Sequence, residues 1–174
     1  MSFRISFLIS GLLPFMRFHR RSAPTQPDHG FTLVEIMVVV VIVGILAAIA
    51  IPTFVHFRRN TQNNRFINDV RTFAQAFETY AMKNGRWPPS AAAGAVPTGM
   101  SGEFRDDNWS AVNSLGGRWN WDYKTNGVTA GISVTAATAD EAQMTEIDKK
   151  MDDGSLSAGN LVKNGERLTY ILQK

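Results

Sequence analysis

An apolar run from about Phe31 to Phe57 constrains the fold of this 174-residue chain more than any other feature. About 18 or more consecutive apolar residues are typical of a helix that spans a membrane. The run nevertheless contains one carboxylate, Glu35. A charged side chain at the centre of a bilayer costs about 2.5–3.5 kcal/mol on insertion scales. We therefore expect the folded protein to provide a compensating partner for Glu35.

Such a partner arises if the chain is cut between Gly30 and Phe31. The new α-amino group at Phe31 has a pKa of about 7.7–8.0 and is largely protonated at neutral pH. Phe31 and Glu35 lie one helical turn apart, so the two charges meet either within one subunit or between neighbouring subunits. The alternative is that Glu35 only complements the positive end of the helix dipole near the lipid headgroups.

The segment Gly30-Phe31-Thr32-Leu33-Val34-Glu35, the apolar residues that follow it, and Pro52 resemble the processing and polymerisation segment of type IV pilins and type II secretion pseudopilins. The resemblance implies that prepilin peptidase cuts after Gly30 and methylates Phe31. It implies that Glu35 pairs with the N-terminal amine of a neighbouring subunit during filament assembly. The implied partners are further copies or related pilins, the peptidase, the membrane and an inner-membrane assembly platform.

The expected fold class is α+β and pilin-like, with a long N-terminal helix packed on a small antiparallel sheet. The expected organisation is a leader over residues 1–30, a membrane-spanning and polymerisation helix over 31–54, an amphipathic helix over 55–84 and a globular head over 85–174. The protein is expected in the inner membrane as a single-pass chain. Its head would lie in the periplasm or be exported as part of a filament.

The leader is longer than the short, basic leaders that pseudopilins usually carry. Its first half resembles a secretory signal, yet no small-residue cleavage pattern follows. We predict that translation starts at Met16 rather than Met1, which leaves a short leader rich in arginine. The positive-inside rule would hold that leader in the cytoplasm, although Arg58 and Arg59 flank the other end of the span.

Two residues within the apolar run predict helix flexibility. Gly44 lowers helix propensity by about 1 kcal/mol relative to alanine. Pro52 removes a backbone hydrogen bond and kinks or breaks a helix. The resemblance implies that the stretch between them loses helicity in assembled filaments. The alternative is a simple kink where the helix leaves the bilayer.

The second half of the helix is predicted from an apolar stripe at alternating spacings of four and three residues, which forms one face of an amphipathic helix. The stripe consists of Phe66, Val70, Phe73, Phe77 and Tyr80, widened by Ile67, Ala74 and Ala81. Asn84-Gly85 and the following prolines predict the helix end. This stripe is expected to pack against the sheet of the head rather than bind a ligand.

In the head, Trp119 to Tyr123 alternates aromatic with polar residues and predicts a strand. Asn126-Gly127 predicts a hairpin turn to a second strand at Val128 to Val134. Residues 140–151 predict a short helix capped by Asp140 or Thr138. A final hairpin is expected over residues 161–172, with its turn at 163–165, and residues 88–108 are expected to form a long surface connection.

Composition excludes several functional classes. The leader contains four arginines and one aspartate, so subtraction from 18 basic and 15 acidic residues leaves 14 of each in residues 31–174. This neutral mature chain lacks the basic footprint that nucleic-acid binding requires. The chain has no cysteine, and its histidines, His19, His29 and His56, precede the head. The head therefore lacks the usual nucleophiles and bases, and no enzymatic activity is predicted.

Carboxylates are the remaining candidates for metal binding in the head, since calcium prefers oxygen ligands. The candidates are Asp106, Asp107, Asp122, Asp152 and Asp153. Major pseudopilins, which this chain resembles, bind calcium in a C-terminal loop. No spaced Asp-x-Asp-x-Asp series appears, and turns and helix caps explain these acids more simply. We therefore predict no cofactor and no metal site, with calcium as the alternative.

Two classes of function fit these observations. The favoured one is a structural subunit of a type IV pilus-like or type II secretion pseudopilus filament. Within this class, the small head and the missing disulfide loop favour a secretion pseudopilin. The alternative is a membrane-anchored binding module, whose head captures a substrate or partner through the connection at residues 88–108.

Overall fold

A computed structural model describes residues 30–174 of the chain. The predicted leader and the predicted start at Met16 lie outside these residues. The chain divides into two units between Ile42 and Val43. The boundaries predicted at residues 54 and 84 stay predictions.

Helix α1 runs from Leu33 to Asn84, a length of 52 residues, and continues through Pro52. The predicted membrane helix and the predicted amphipathic helix are therefore parts of one element. The helix ends where the sequence predicted, because Gly85 has a φ of +63°. Glycine is favoured at this left-handed position because it has no Cβ to clash with the backbone.

Four strands form one antiparallel sheet in the order β1-β2-β4-β3. Their bounds are Arg118–Thr125 for β1, Val128–Thr135 for β2, Leu161–Asn164 for β3 and Arg167–Gln173 for β4. The last strand is thus inserted between the second and the third. A long helix on a small antiparallel sheet confirms the predicted α+β fold.

Two hairpins build this sheet. Asn126 and Gly127 join β1 to β2 with φ values of 52° and 81°, which is the tight turn that their sequence predicted. The second hairpin differs slightly from its prediction. Its turn lies at Gly165 and Glu166, because Lys163 and Asn164 still pair with β4.

The apolar stripe of α1 packs against the inner face of the sheet, as predicted. The rings of Phe66 and Trp119 stack at a centroid distance of 5.1 Å. Phe77 and Trp121 stack at 3.8 Å with an angle of 6° between their planes. The stripe residues that this packing buries are Phe66, Ile67, Val70, Phe73, Ala74 and Phe77. The tryptophans Trp109, Trp119 and Trp121 are fully buried core residues.

Residues 88–108 form a mostly exposed connection, as predicted, with no helix or strand before Asp106. Several contacts nevertheless fix this connection to the core. Gly94 donates a backbone hydrogen bond to Trp119 O at 2.7 Å, and Ala91 forms an isolated bridge with Trp121. Met100 is fully buried, which the Ala-, Gly- and Pro-rich composition did not indicate.

A short helix missed by sequence reasoning begins at the end of this segment. Helix α2 spans Asp106–Ser110 and carries the fully buried Trp109. The indole Nε1 of Trp109 donates to Ala95 O at 2.8 Å. The ring also packs edge-on against Phe73 at 5.0 Å. Helix α2 therefore contributes Trp109 to the hydrophobic core.

Helix α3 spans Glu141–Met151, and Asp140 is its cap. The Asp140 carboxylate accepts a hydrogen bond from Gln143 N at 2.7 Å, which decides between the two predicted caps. Thr138 instead donates to Leu115 O. Met144 and Ile147 on this helix are buried in the core.

Candidate processing and assembly segment

The predicted cleavage point lies in an open stretch of backbone immediately before α1. Gly30, Phe31 and Thr32 are exposed and precede the first helical residue, Leu33. The Phe31 ring is 76% exposed. Within residues 30–174, no atom lies within 4 Å of the position that a Cβ on Gly30 would occupy. The described residues thus leave the Gly30-Phe31 bond uncovered, and cleavage at this bond stays a prediction.

Glu35 lies in the first turn of α1, and Thr32 caps this turn. The backbone N–H of Glu35 donates to Thr32 Oγ1 at 3.1 Å. A threonine followed three residues later by a glutamate is the sequence signature of a capping box. Sequence reasoning missed the role of Thr32, although this signature was available. The cap fixes the start of the helix two residues after the predicted cut.

The same turn sets the electrostatics of Glu35. Its carboxylate lies at the positive end of the α1 dipole, which stabilises a negative charge by about 0.3–1 kcal/mol at exposed sites. This is less than the cost of burying a charge in lipid. The dipole offsets only part of that cost if Glu35 lies within the lipid, and its pairing with an amine stays a prediction.

The apolar half of α1 presents a continuous exposed surface. Its large apolar side chains from Phe31 to Phe57 are between 48% and 76% exposed. An 18-residue window in this helix has a mean hydropathy of 3.0, and none of it is buried by the described residues. The helix is long and apolar enough to cross a membrane. Lipid or other protein must cover this surface in the cell.

The two residues predicted to allow helix flexibility lie on this exposed part of α1. A Cβ on Gly44 would meet no atom within 4 Å among the described residues. Directly after the proline, the Thr53 hydroxyl donates to Ile49 O at 3.0 Å. Hydrogen bonds of this kind from a threonine to the carbonyl four residues earlier slightly destabilise a helix and often bend it. The loss of helicity between Gly44 and Pro52 stays a prediction.

The carboxylates considered as metal ligands fall into separate places. Asp122 is a buried residue of β1 and pairs with Arg167 at 2.9 Å. Ser133 and Asn120 also donate to it, at 2.6 and 2.7 Å. Asp106 accepts from Ser101 at 2.6 Å. These contacts give Asp122 and Asp106 structural roles.

Asp152 and Asp153 instead lie close to a third carboxylate that sequence reasoning did not single out. This residue, Asp148, is in the last turn of α3 and is fully buried. Its position on the helix face next to Met144 and Ile147 concealed it among apparent core residues. The structure thus brings together two of the five predicted acids and adds one more.

The N-terminal segment matches a known protein family. Residues 26–51 match the family model described as the prokaryotic N-terminal methylation motif. The fimbrial protein EcpC of Eikenella corrodens is 31% identical, over 62% of this chain and 70% of that protein. The type IV major fimbrial protein FimA of Dichelobacter nodosus is 35% identical, over 62% of this chain and 72% of its own length. The chain belongs to the type IV pilin and pseudopilin family.

This pilin-family chain also resembles proteins of secretion systems over a shorter length. The type II secretion system core protein G of Klebsiella michiganensis is 36% identical, over 36% of this chain and 44% of that protein. The chain thus covers less than half of this relative and more than two thirds of the fimbrial ones. No solved structure matches the chain.

Proposed function

We propose that this chain is a structural subunit of a filament, either a type IV pilus-like fibre or a type II secretion pseudopilus. One observation carries the proposal: within residues 30–174, nothing buries the apolar window of α1. It is coupled through one continuous helix to a well-packed head. Family membership supports the same role.

The energetics of assembly follow from this surface. An apolar helix leaves the lipid without a large penalty only when it enters an equally apolar environment. Neighbouring copies of α1 supply that environment, because each presents the same run of aliphatic side chains. Before assembly, the subunit is thus anchored in the inner membrane with its head in the periplasm. It assembles when its N-terminal helix packs against those of neighbouring copies.

Processing supplies the partner of Glu35. In this proposal, prepilin peptidase cuts after Gly30 and methylates the new N-terminus at Phe31. The Glu35 carboxylate then pairs with the Phe31 amine of a neighbouring copy. Because a charge pair is favourable only at short distance in an apolar medium, the pair fixes one axial offset between the two helices.

The alternative of an anchored binding module rested on the connection at residues 88–108. A mobile capture loop would be exposed and weakly attached, whereas Met100 and Trp109 pack this segment into the core. The proposed function therefore assigns the segment a structural role. We also propose that the subunit has no enzymatic activity. The described residues contain a single histidine, His56, whose ring contacts Asn60.

Intact-mass spectrometry tests the processing step. The chain is purified from cells with and without prepilin peptidase. We expect the mature form to begin at N-methylated Phe31 only when the peptidase is present. Gly30→Val should leave the precursor uncut, while Ser90→Val in the head should be processed normally. A mature chain that begins at another residue would contradict the assignment of Gly30 and Phe31.

A further inference from the structure

The face of the sheet opposite α1 carries a network of polar side chains. Side chains alternate between the two faces of a strand, so Asp122 lies on the face opposite that of Trp121, which packs on α1. Register places Gly131 of β2 beside Asp122. Val128 and Thr169 lean over this glycine, since a Cβ there would lie 3.2 Å from a methyl carbon of each. These side chains line the floor of a cavity.

The cavity has a volume of about 460 Å³ and lies between the β1-β2 hairpin and the β3-β4 hairpin. Small-molecule sites typically have volumes of about 300–1,000 Å³. Its wall combines aliphatic side chains with two exposed asparagines: Val128, Val162, Ile171, Asn126 and Asn164. Among the described residues that line it, Arg167 is the only charged one. The cavity therefore presents one cation among neutral groups.

Arg167 has one end of its guanidinium group already fixed. Its Nη1 donates to the two carboxylate oxygens of Asp122, at 3.1 and 2.9 Å, and to Ser133 Oγ at 2.7 Å. Within residues 30–174, its Nε and Nη2 make no hydrogen bond. These two nitrogens share one edge of the planar group, so their N–H bonds form a two-donor fork. Because Arg167 lines the cavity, this fork is open to a ligand.

Asp122 does not need that second edge of Arg167. Its carboxylate also accepts hydrogen bonds from Asn120 Nδ2 at 2.7 Å, Ser133 Oγ at 2.6 Å and Asn126 Nδ2 at 2.9 Å. Together with Nη1 of Arg167, these donors satisfy both oxygens and balance the buried charge. The network thus holds the guanidinium in a fixed orientation without using the fork.

We propose that this cavity binds a carboxylate group, with the fork of Arg167 as its anchor. A planar guanidinium group matches the two oxygens of a carboxylate in a bidentate pair. The charge of Asp122 lies close by and offsets that of Arg167, so a singly charged carboxylate fits better than a doubly charged phosphate. Asn126 and Asn164 supply further neutral donors at the exposed side of the cavity.

The aliphatic part of the wall defines the rest of the ligand. Val128, Val162 and Ile171 favour a short branched aliphatic group next to the carboxylate, because it removes apolar surface from water on both sides. A free short-chain acid carries this chemistry, and so does the C-terminal residue of a polypeptide. The site goes beyond the proposed filament function, and neither depends on the other.

Nuclear magnetic resonance of the full chain in detergent at pH 7 tests the site, because each arginine Nε–H group gives its own signal. Isobutyrate is the probe for a free acid, and N-acetylvaline is the probe for a chain end. The control is N-acetylvalinamide, which lacks the carboxylate. We expect a saturable shift of the Arg167 signal with an acid, and at least about tenfold weaker binding of the amide. Tighter binding of N-acetylvaline than of isobutyrate indicates a polypeptide end, and the reverse indicates a free acid.

Arg71, an exposed residue of α1, is the internal control for nonspecific pairing with arginine. Its Nε–H signal should show no saturable shift. No shift at Arg167 with either acid, or equal shifts at Arg71 and Arg167, would overturn the proposal.

Substitutions test the anchor, with binding followed by the side-chain amide signal of Asn126. Arg167→Lys keeps a cation beside Asp122 but removes the fork, so it should bind the acid at least about tenfold more weakly. Asn164→Asp adds a negative charge to the exposed wall and should weaken binding by about fivefold, whereas Asn164→Gln should bind as the wild type does. This second pair leaves the buried network intact, and melting temperatures verify folding. Wild-type affinity in Arg167→Lys, or equal affinities in the two Asn164 variants, would contradict the assignment.

Discussion

At the scale of single residues, the molecule contains three carboxylates in contrasting settings. Glu35 is exposed in the first turn of α1, and its predicted partner is the amine that cleavage would create at Phe31. Asp122 is buried but satisfied by Arg167 and its hydrogen bonds. Asp148 is buried and unsatisfied within residues 30–174. Burial and partners, rather than residue type, therefore decide whether each carboxylate stabilises or destabilises the head.

The pairing of Asp122 with Arg167 makes a first prediction. The Asp122 side chain is 3% exposed, so removing its cation leaves a buried charge without compensation. Arg167→Met should lower the free energy of unfolding by about 3 kcal/mol. Lys83→Met, which breaks an exposed pair with Glu103, should cost at most about 1 kcal/mol. Urea unfolding followed by tryptophan fluorescence measures both, and equal losses would contradict this account.

Asp69 on α1 gives a prediction with a pH dependence. Burial raises its pKa above the ordinary 3.8, although Arg65 lowers it in part. The folded chain then holds its proton to higher pH than the unfolded chain, so this group costs stability as the pH rises above 3.8. Asp69→Asn should raise the melting temperature at pH 7, with a gain that shrinks toward pH 3.8.

The control for this effect is Glu78→Gln, an exposed site on the same helix. It should leave the melting temperature unchanged at both ends of the pH range. A gain in Asp69→Asn that persists at low pH would show that the effect does not arise from the charge.

At the scale of elements, α1 combines two surfaces of different purpose. Residues up to Phe57 are exposed and apolar, whereas the stripe beginning at Phe66 is buried against the sheet. This change of surface follows from helix geometry. Apolar residues spaced four and three apart lie on one face of a helix, and this spacing starts only at Phe66. One element therefore serves both the assembly surface and the core.

Phe77 tests the second of these surfaces. Its ring is fully buried and stacks on Trp121 at 3.8 Å. Phe77→Ala should lower the free energy of unfolding of the head by about 3–5 kcal/mol, from lost burial and a cavity. Phe57→Ala on the same helix, at a ring that is 70% exposed, should leave it unchanged. A comparable loss in both variants, measured by fluorescence in detergent, would refute the division of α1.

Regular elements were predictable because their periodicity is local. The stripe from Phe66, the Asn126-Gly127 turn and the Asp140 cap each follow from a few neighbouring residues. The course of residues 88–108 and the burial of Met100 depend on contacts with distant strands. Asp148 escaped notice for a different reason: it lies only four residues before Asp152, but it shares a face of α3 with the apolar Met144 and Ile147. The candidate assembly residues were found because the predicted cleavage point at Gly30-Phe31, the carboxylate of Glu35 and the apolar run are adjacent in the sequence.

At the scale of the whole molecule, the chain combines a packed head with a large apolar surface that needs a covering partner. Its head is satisfied by its own core, while the surface from Phe31 to Phe57 is covered by nothing within the described chain. Filament assembly resolves this imbalance, because identical helices cover one another. The choice between a secretion pseudopilus and a pilus stays a prediction. The fimbrial relatives are matched over a larger share of their length than protein G is.

Glu35→Ala tests the central claim most directly, with the head substitution Glu166→Ala as its matched control. The filament fraction is measured relative to mature subunit, after mass spectrometry verifies N-methylated Phe31 in both variants. We expect normal expression and cleavage, but at least about a tenfold loss of filaments for Glu35→Ala, because losing one partner of a buried charge pair costs about 2 kcal/mol or more. Filaments at the wild-type level in Glu35→Ala would contradict the account.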